Sequence, residues 1–156
     1  MVHLDVPPTL VSFAITKAEA NEIVTPELKG GNHTLVEVML PKDKFFVYDF
    51  EALRTQYDRV TNLMKEGKVY SAYTVKDGGV IEAVYKMAFG NEIGVKLNSN
   101  NTLESLIEKN YGHIILEVEN EDVSTYKNLN DFAGHGVVTN YDLTKDIFKK
   151  HHRKEL

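Results

Sequence analysis

The chain has 156 residues, of which 42% are hydrophobic, 26% charged and 10% aromatic, a size and composition that suit one globular domain with its own core. Its 18 lysines and arginines against 23 aspartates and glutamates leave a net charge of −5, so the molecule as a whole does not attract a phosphate polymer, and nucleic acid is not an expected partner. There is no cysteine, which excludes disulfides, thiolate metal sites, iron–sulfur clusters and a cysteine nucleophile.

Residues 1–16 carry His3 and Asp5 and no basic n-region, so they do not read as a signal peptide. No stretch approaches the roughly 20 apolar residues that cross a bilayer. A cytoplasmic protein without a membrane partner is expected. The terminal Lys154-Glu155-Leu156 follows Arg153 and lacks the Lys-Asp of an endoplasmic-reticulum retention tail.

After Pro7-Pro8, the run Thr9 to Ile15 is rich in strand formers and predicts a first strand. Thr25-Pro26 and Lys29-Gly30-Gly31-Asn32 bracket an irregular excursion, and Thr34 to Leu40 alternates as a second strand closed by Pro41. Asp49 is placed to cap a helix with Phe50, Leu53, Tyr57, Val60 and Met64 at helical spacing, ending at Gly67. Val69 to Val75 predicts a strand and Asp77-Gly78-Gly79 a tight turn. Val80, Ala83, Val84, Met87 and Ala88 form the buried stripe of a helix stopped near Gly90-Asn91. Ile93, Val95 and Leu97 alternate as a strand, Thr102 can cap a short helix with Leu103, Leu106 and Ile107, and His113 to Val118 reads as a strong strand. Beyond Glu119 the pattern weakens to a helix over Val123 to Phe132 and a short strand from Gly134 to Thr139. With no repeat and no internal linker, residues 1–156 form a single module, with 119–156 weakly assigned. The fold class is α/β (α+β), three α/β/α layers around a mixed sheet.

Chemistry concentrates at Lys76-Asp77-Gly78-Gly79. A strand that ends in two glycines before a helix lets backbone N–H groups approach an anion, the helix start adds partial positive charge, and Lys76 adds a full one. The same four residues also suit a plain turn in which Asp77 caps, Gly78 supplies a positive φ and Lys76 is solvated. The string is neither a Walker A loop nor a GxGxxG fingerprint. His3, His33, His113, His135, His151 and His152 show no i, i+4 pair, so no metal site is expected. The tail Lys149 to Lys154 reads as a solvated basic end. Ser12, Ser71, Ser99, Ser105 and Ser124 lie in no GxSxG context. The pairs Glu117 with Glu119 and Glu121 with Asp122 read as a solvated edge rather than an acid/base dyad. Tyr70, Tyr73, Tyr85 and Tyr111 read as half-buried packing residues with wet hydroxyls. No catalytic residue is expected.

The stretch Ser71-Ala72-Tyr73-Thr74-Val75-Lys76-Asp77-Gly78-Gly79-Val80-Ile81-Glu82-Ala83, continuing through Met87-Ala88-Phe89-Gly90-Asn91-Glu92-Ile93-Gly94-Val95, resembles phosphoribosylformylglycinamidine synthase of the large type, in its second C-terminal domain of the aminoimidazole-ribonucleotide-synthetase kind. Pro7 to Ala14 with Thr25-Pro26-Glu27-Leu28-Lys29, and Tyr111 to Val118, resemble it too, so the likeness spans most of residues 7–118. Many members read His-Asp-x-Ser before Asp-Gly-Gly, where this chain has Tyr73, Thr74, Val75 and Lys76.

The resemblance implies one excised module of an ATP- and glutamine-dependent ligase of purine synthesis that converts formylglycinamide ribonucleotide to formylglycinamidine ribonucleotide. It implies ATP and Mg2+ as cofactors of the full-length enzyme, bound mainly by domains absent here. Partners would be the sister synthase and glutaminase domains and a nucleotide or ribonucleotide phosphate, this last at Lys76, Asp77, Gly78 and Gly79. The glutaminase nucleophile of the family is a cysteine, which this chain lacks, and the isolated fragment is expected to be inactive. A stand-alone phosphate-ligand-binding or regulatory domain of the same fold, without catalysis, is the alternative.

Overall fold

Two alternating strands set the two faces on which everything else packs. The computed structural model describes residues 10–31, 33–98, 101–119 and 132–139. In it β1 (His33–Val38) pairs with β4 (Ile114–Glu119) antiparallel, from His33↔Glu119 to Val38↔Ile114, the order of elements being β1, α1, β2, α2, β3, α3, β4, β5. Because successive side chains point to opposite faces, this register gathers Val36, Val38, Leu116 and Val118 in one cluster and Leu35 with Ile115 in another, all of them buried. Two apolar faces require two covers.

The first cover is α1 (Phe50–Lys65). The Asp49 carboxylate accepts from the N–H groups of Glu51 and Ala52 at 3.0 and 3.1 Å, satisfying donors that the helix itself leaves unpaired. Val60, Leu63 and Met64 pack on Val36, Val38, Leu116 and Val118, and the helix stops before Gly67 at φ +70°. The second cover is α2 (Gly79–Asn91), whose Val80, Ala83, Val84 and Met87 join Leu35 and Ile115. Leu106 of α3 (Leu103–Ile107) completes that cluster, and the Thr102 hydroxyl caps α3 by accepting from Ser105 N–H at 3.2 Å.

The result is the expected α+β domain in three layers. Its sheet runs in the order β2-β4-β1-β5-β3, with β2 spanning Ser71–Thr74, β3 Gly94–Leu97 and β5 Phe132–Thr139. All four pairings described are antiparallel, where strand–helix–strand succession had suggested a mixed sheet. The reason is positional: β2 and β3 run in the same direction, as the crossover through α2 requires, but β4, β1 and β5 separate them. A register shift of β5 against Leu35 and Val36 marks a bulge in the centre of the sheet.

Two expected elements differ. Residues 10–19 carry no strand, and Leu10, Val11, Phe13 and Ile15 are exposed; strand-forming composition builds a strand only where an edge receives it. The strand read over Val69 to Val75 contracts to β2, with Val69 and Val75 buried on either side. The helix read over Val123 to Phe132 lies outside the described residues except for Phe132, which opens β5. The basic tail Lys149 to Lys154 also lies outside them. Among the described residues, no helix is long and apolar enough to cross a membrane.

Candidate functional site

The Lys76–Gly79 turn stands where β2 hands over to α2. Val75 is buried and its N–H donates to the His113 carbonyl at 2.8 Å, so the chain is held one residue beyond the end of β2. Gly79 N–H then donates to the Lys76 carbonyl at 3.0 Å, closing the turn. The positive φ falls on Gly79, at +70°, and not on Gly78, whose φ is −87°. Space confirms which glycine is indispensable. A Cβ on Gly79 would sit 2.5 Å from the Leu106 carbonyl oxygen and 2.7 Å from Ile107 Cα, whereas a Cβ on Gly78 would meet Glu82, at 2.5 Å from its Cβ, with no positive φ to strain it. Gly79 therefore lets the start of α2 pack against the backbone of α3.

The charges around the turn are already partnered. Glu82 Oε2 accepts from Gly78 N–H at 2.7 Å, and its other oxygen accepts from Lys86 one helical turn on. The Lys86 ammonium first, and the Gly78 N–H second, hold the Glu82 carboxyl below the usual carboxylate range, and the same pairing raises Lys86. Asp77 does not cap the helix. It accepts from the Tyr111 hydroxyl and lies 3.6 Å from Lys109 Nζ. The Tyr111 hydrogen bond is the main cause that lowers the Asp77 carboxyl, and the Tyr111 phenol is raised in return. Lys76 is exposed, its Nζ 5.3 Å from the centre of the Tyr73 ring.

The structure thus keeps Lys76, Asp77, Gly78 and Gly79 together and adds Glu82, Lys86 and Lys109, which sequence reasoning did not single out, and Tyr111, which was read as a half-buried packing residue and is instead exposed, its hydroxyl on Asp77. Glu82 had left a signal: a glutamate in the first turn after a Gly-Gly helix start, followed at i+4 by a lysine. Chemically, the turn can offer an ammonium and one backbone N–H to an anion that displaces the Glu82 carboxylate. It brings together no nucleophile and base.

A second polar centre lies under the sheet's α2 face. Glu117 was expected on a solvated edge with Glu119, and the structure corrects this: Glu117 is 0% exposed. Its carboxylate accepts from Lys29 N–H at 2.9 Å, Gly30 N–H at 3.1 Å and the Ser71 hydroxyl at 2.7 Å, and faces His33 Nδ1 at 2.8 Å. The irregular excursion explains the difference, since Lys29-Gly30 turns its backbone donors inward while Leu28 plugs the core. Glu119 is exposed and accepts from the Tyr70 hydroxyl at 2.5 Å, and the Tyr70 ring stacks on His33 at 4.2 Å. A matching pair sits two residues along the sheet: His113 Nδ1 lies 2.7 Å from Glu37 Oε1, and His113 Nε2 accepts from Leu40 N–H at 3.1 Å. That acceptance leaves the Nε2 lone pair free of a proton, so His113 is held as the neutral Nδ1–H tautomer. Among the described residues no three histidine or carboxylate side chains are grouped to hold a metal ion.

No family model matches the chain. Among curated proteins it is 28% identical over 145 residues, 80% of its length, to the probable membrane antigen 75 of Saimiriine herpesvirus 2. It is 36% identical over 76 residues to the phosphoribosylformylglycinamidine synthase subunit PurL of Picrophilus torridus, and 26% over 80 residues to that of Limosilactobacillus fermentum, covering 45% and 51% of this chain. The chain spans about a tenth of the length of these relatives, 10 to 11%. Its fold matches one part of PurL. The PurLQS structure from Thermotoga maritima matches 78% of this chain and 24% of its own with a TM-score of 0.61 at 16% identity. Escherichia coli HypE, a hydrogenase maturation protein, matches 77% of this chain and 47% of its own with a TM-score of 0.58 at 15% identity. The three-layer domain is thus common to PurL and HypE, and at these identities the likeness to solved structures establishes the fold and not the activity.

Proposed function

We propose that this chain is a synthase-like C-terminal module of a protein related to the large phosphoribosylformylglycinamidine synthase, and that it lends a scaffold and a phosphate-facing turn to an ATP- and glutamine-dependent ligation whose reacting groups lie outside it. The observation that carries this reading is the coincidence of a PurL-type fold with similarity to two PurL sequences. In the proposed reaction the amide oxygen of formylglycinamide ribonucleotide is phosphorylated and ammonia from glutamine displaces the phosphate. The residues described here do not fit a magnesium–triphosphate site. Asp77 is engaged by Tyr111 and Lys109, Glu82 is engaged by Lys86 and Gly78, and no third carboxylate joins them among the described residues. On this reading ATP and Mg2+ are held mainly by other domains of the enzyme. The role proposed for this chain is to present Lys76 and the Gly78 N–H to a ligand phosphate once Glu82 gives up that N–H to it.

A second reading, a binding or regulatory domain that keeps the fold without catalysis, is favoured by two features. The anion position at the start of α2 is filled by the chain's own Glu82, and Tyr73, Thr74 and Lys76 replace the His, Asp and Ser that the family resemblance leads one to expect. The sequence encoded on either side separates the two: an ATP-binding synthetase domain in the same reading frame supports the ligase module, and a separate start and stop support the binder. On either reading the purified chain, given formylglycinamide ribonucleotide, ATP, Mg2+ and ammonia, forms no product above a heat-killed control. Turnover by the chain alone would overturn both.

A further inference from the structure

Two features of the described chain complement each other. Leu10, Val11, Phe13 and Ile15 are 95%, 74%, 81% and 89% exposed, in a run of strand-forming residues that has no strand partner. Alternation places Val11, Phe13 and Ile15 on one side of that run when it is extended. At one margin of the sheet β3 is the last strand. Beside it a groove of about 530 Å³ opens between β3 and α2, walled by Ile81, Val84, Tyr85, Val95 and Leu97. Tyr85 and Phe89 stand on α2 at i, i+4 and both are exposed. The run cannot be assigned to its own groove by proximity: it joins the body through Thr25, whose carbonyl accepts from Ala72 N–H of β2 at 3.3 Å, and β2 ends the sheet on the side away from β3.

We propose that two copies of this chain pair by exchanging residues 10–15, each run lying along β3 of the other copy as a sixth strand, with Val11, Phe13 and Ile15 in the groove. This goes beyond the functional reading and does not depend on it. An edge strand is a template for an added strand: main-chain hydrogen bonds supply affinity, and pockets for alternate side chains supply register. Reciprocal exchange makes both contacts at once and closes a two-fold dimer, so no open chain of copies forms. The area suffices once the aliphatic groups are counted. Phe13, Tyr85 and Phe89 are 81%, 58% and 51% exposed, so at roughly 150–250 Å² per aromatic they bring about 800 Å² into the pair, and Val11, Ile15 and the main chain carry the total past about 1,000 Å², the minimum for a specific pair.

Sedimentation analysis of the 156-residue chain tests the proposal. Dimers are expected at tens of micromolar. Phe13→Asp, at a residue that is exposed in the single copy, should weaken the dimer about 30-fold or more, the effect of removing an interface hot spot, and leave the melting temperature of the monomer unchanged. Tyr85→Asp should do the same from the groove side. A mixture of the two variants should recover dimers, because the intact run of the Tyr85→Asp copy meets the intact groove of the Phe13→Asp copy. A chain still monomeric at about 100 µM would overturn the proposal. So would dimers indifferent to both substitutions, or a mixture that does not recover.

Discussion

Replacing Glu117 by alanine probes how the excursion over residues 25–31 is fixed to the sheet. The wild-type carboxylate, wholly buried, gathers Lys29 N–H, Gly30 N–H, the Ser71 hydroxyl and His33. Hydrogen bonds to a charged group contribute about 1.5–3 kcal/mol each, and they do not simply add. Removing the acceptor leaves the donors buried without it, so the loss resembles that of breaking a buried ion pair from one side, about 3–5 kcal/mol. Against a total of roughly 5–15 kcal/mol for a domain, that is a large fraction. Glu117→Gln keeps the volume and one acceptor oxygen but turns an NH2 toward the donors, and should cost about 2 kcal/mol. Urea unfolding followed by circular dichroism gives both values, and amide exchange gives their location. The Lys29 and Gly30 amides should lose protection before those of Val36 and Leu116. A loss under about 1 kcal/mol for alanine, with Lys29 and Gly30 exchange unchanged, would refute the reasoning.

Three further expectations rest on single residues. Gly79→Ala, at φ +70° and with its Cβ 2.5 Å from the Leu106 carbonyl, should destabilise by about 2 kcal/mol or more, while Gly78→Ala, at an ordinary φ of −87°, meets Glu82 Cβ but carries no positive-φ strain and should cost less; denaturant midpoints decide. Asp77 is depressed chiefly by the Tyr111 hydroxyl, so its interaction stabilises the fold above the ordinary aspartate range and is lost as pH falls below about 4 through the folded value. Carboxyl NMR titration should show Tyr111→Phe returning Asp77 toward the ordinary value, and an unmoved midpoint would contradict the contact. For His113, long-range proton–nitrogen NMR at neutral pH should find the proton on Nδ1 and a bare Nε2; a protonated Nε2 is incompatible with Leu40 N–H as its donor.

The elements that the sequence made legible are those whose signal is local. Asp49 with its helical stripe, the alternation of β1 and β4, and the apolar face of α2 each reflect one element against a generic apolar neighbour. What stayed hidden depends on which other segment arrives. Glu117 on an alternating strand looks like any solvated edge residue until Lys29-Gly30 turns its N–H groups toward it. The reciprocal spacing His33-x-x-x-Glu37 and His113-x-x-x-Glu117 was visible, but its meaning required the antiparallel register that crosses the two pairs. At the turn, Asp-Gly-Gly announced a strand-to-helix junction correctly. It could not say that α3 backs onto Gly79, which moves the positive φ to the second glycine. Leu10 to Ile15 shows the converse: strand composition is plain in the sequence, and the partner that would use it is not within the described chain.

The most direct test of the functional account is a phosphate titration of the amide NMR spectrum, comparing wild type with Glu82→Gln. Wild type should show shifts confined to Lys76 through Glu82 with a dissociation constant no tighter than about millimolar, since one lysine and one helix start supply a few kcal/mol at most. Glu82→Gln removes the negative charge that sits on Gly78 N–H at 2.7 Å and should bind phosphate several-fold more tightly at the same residues. Unmoved Lys76 to Glu82 amides in both proteins, or a Glu82→Gln variant that binds no better than wild type, would contradict a phosphate-facing role for this turn.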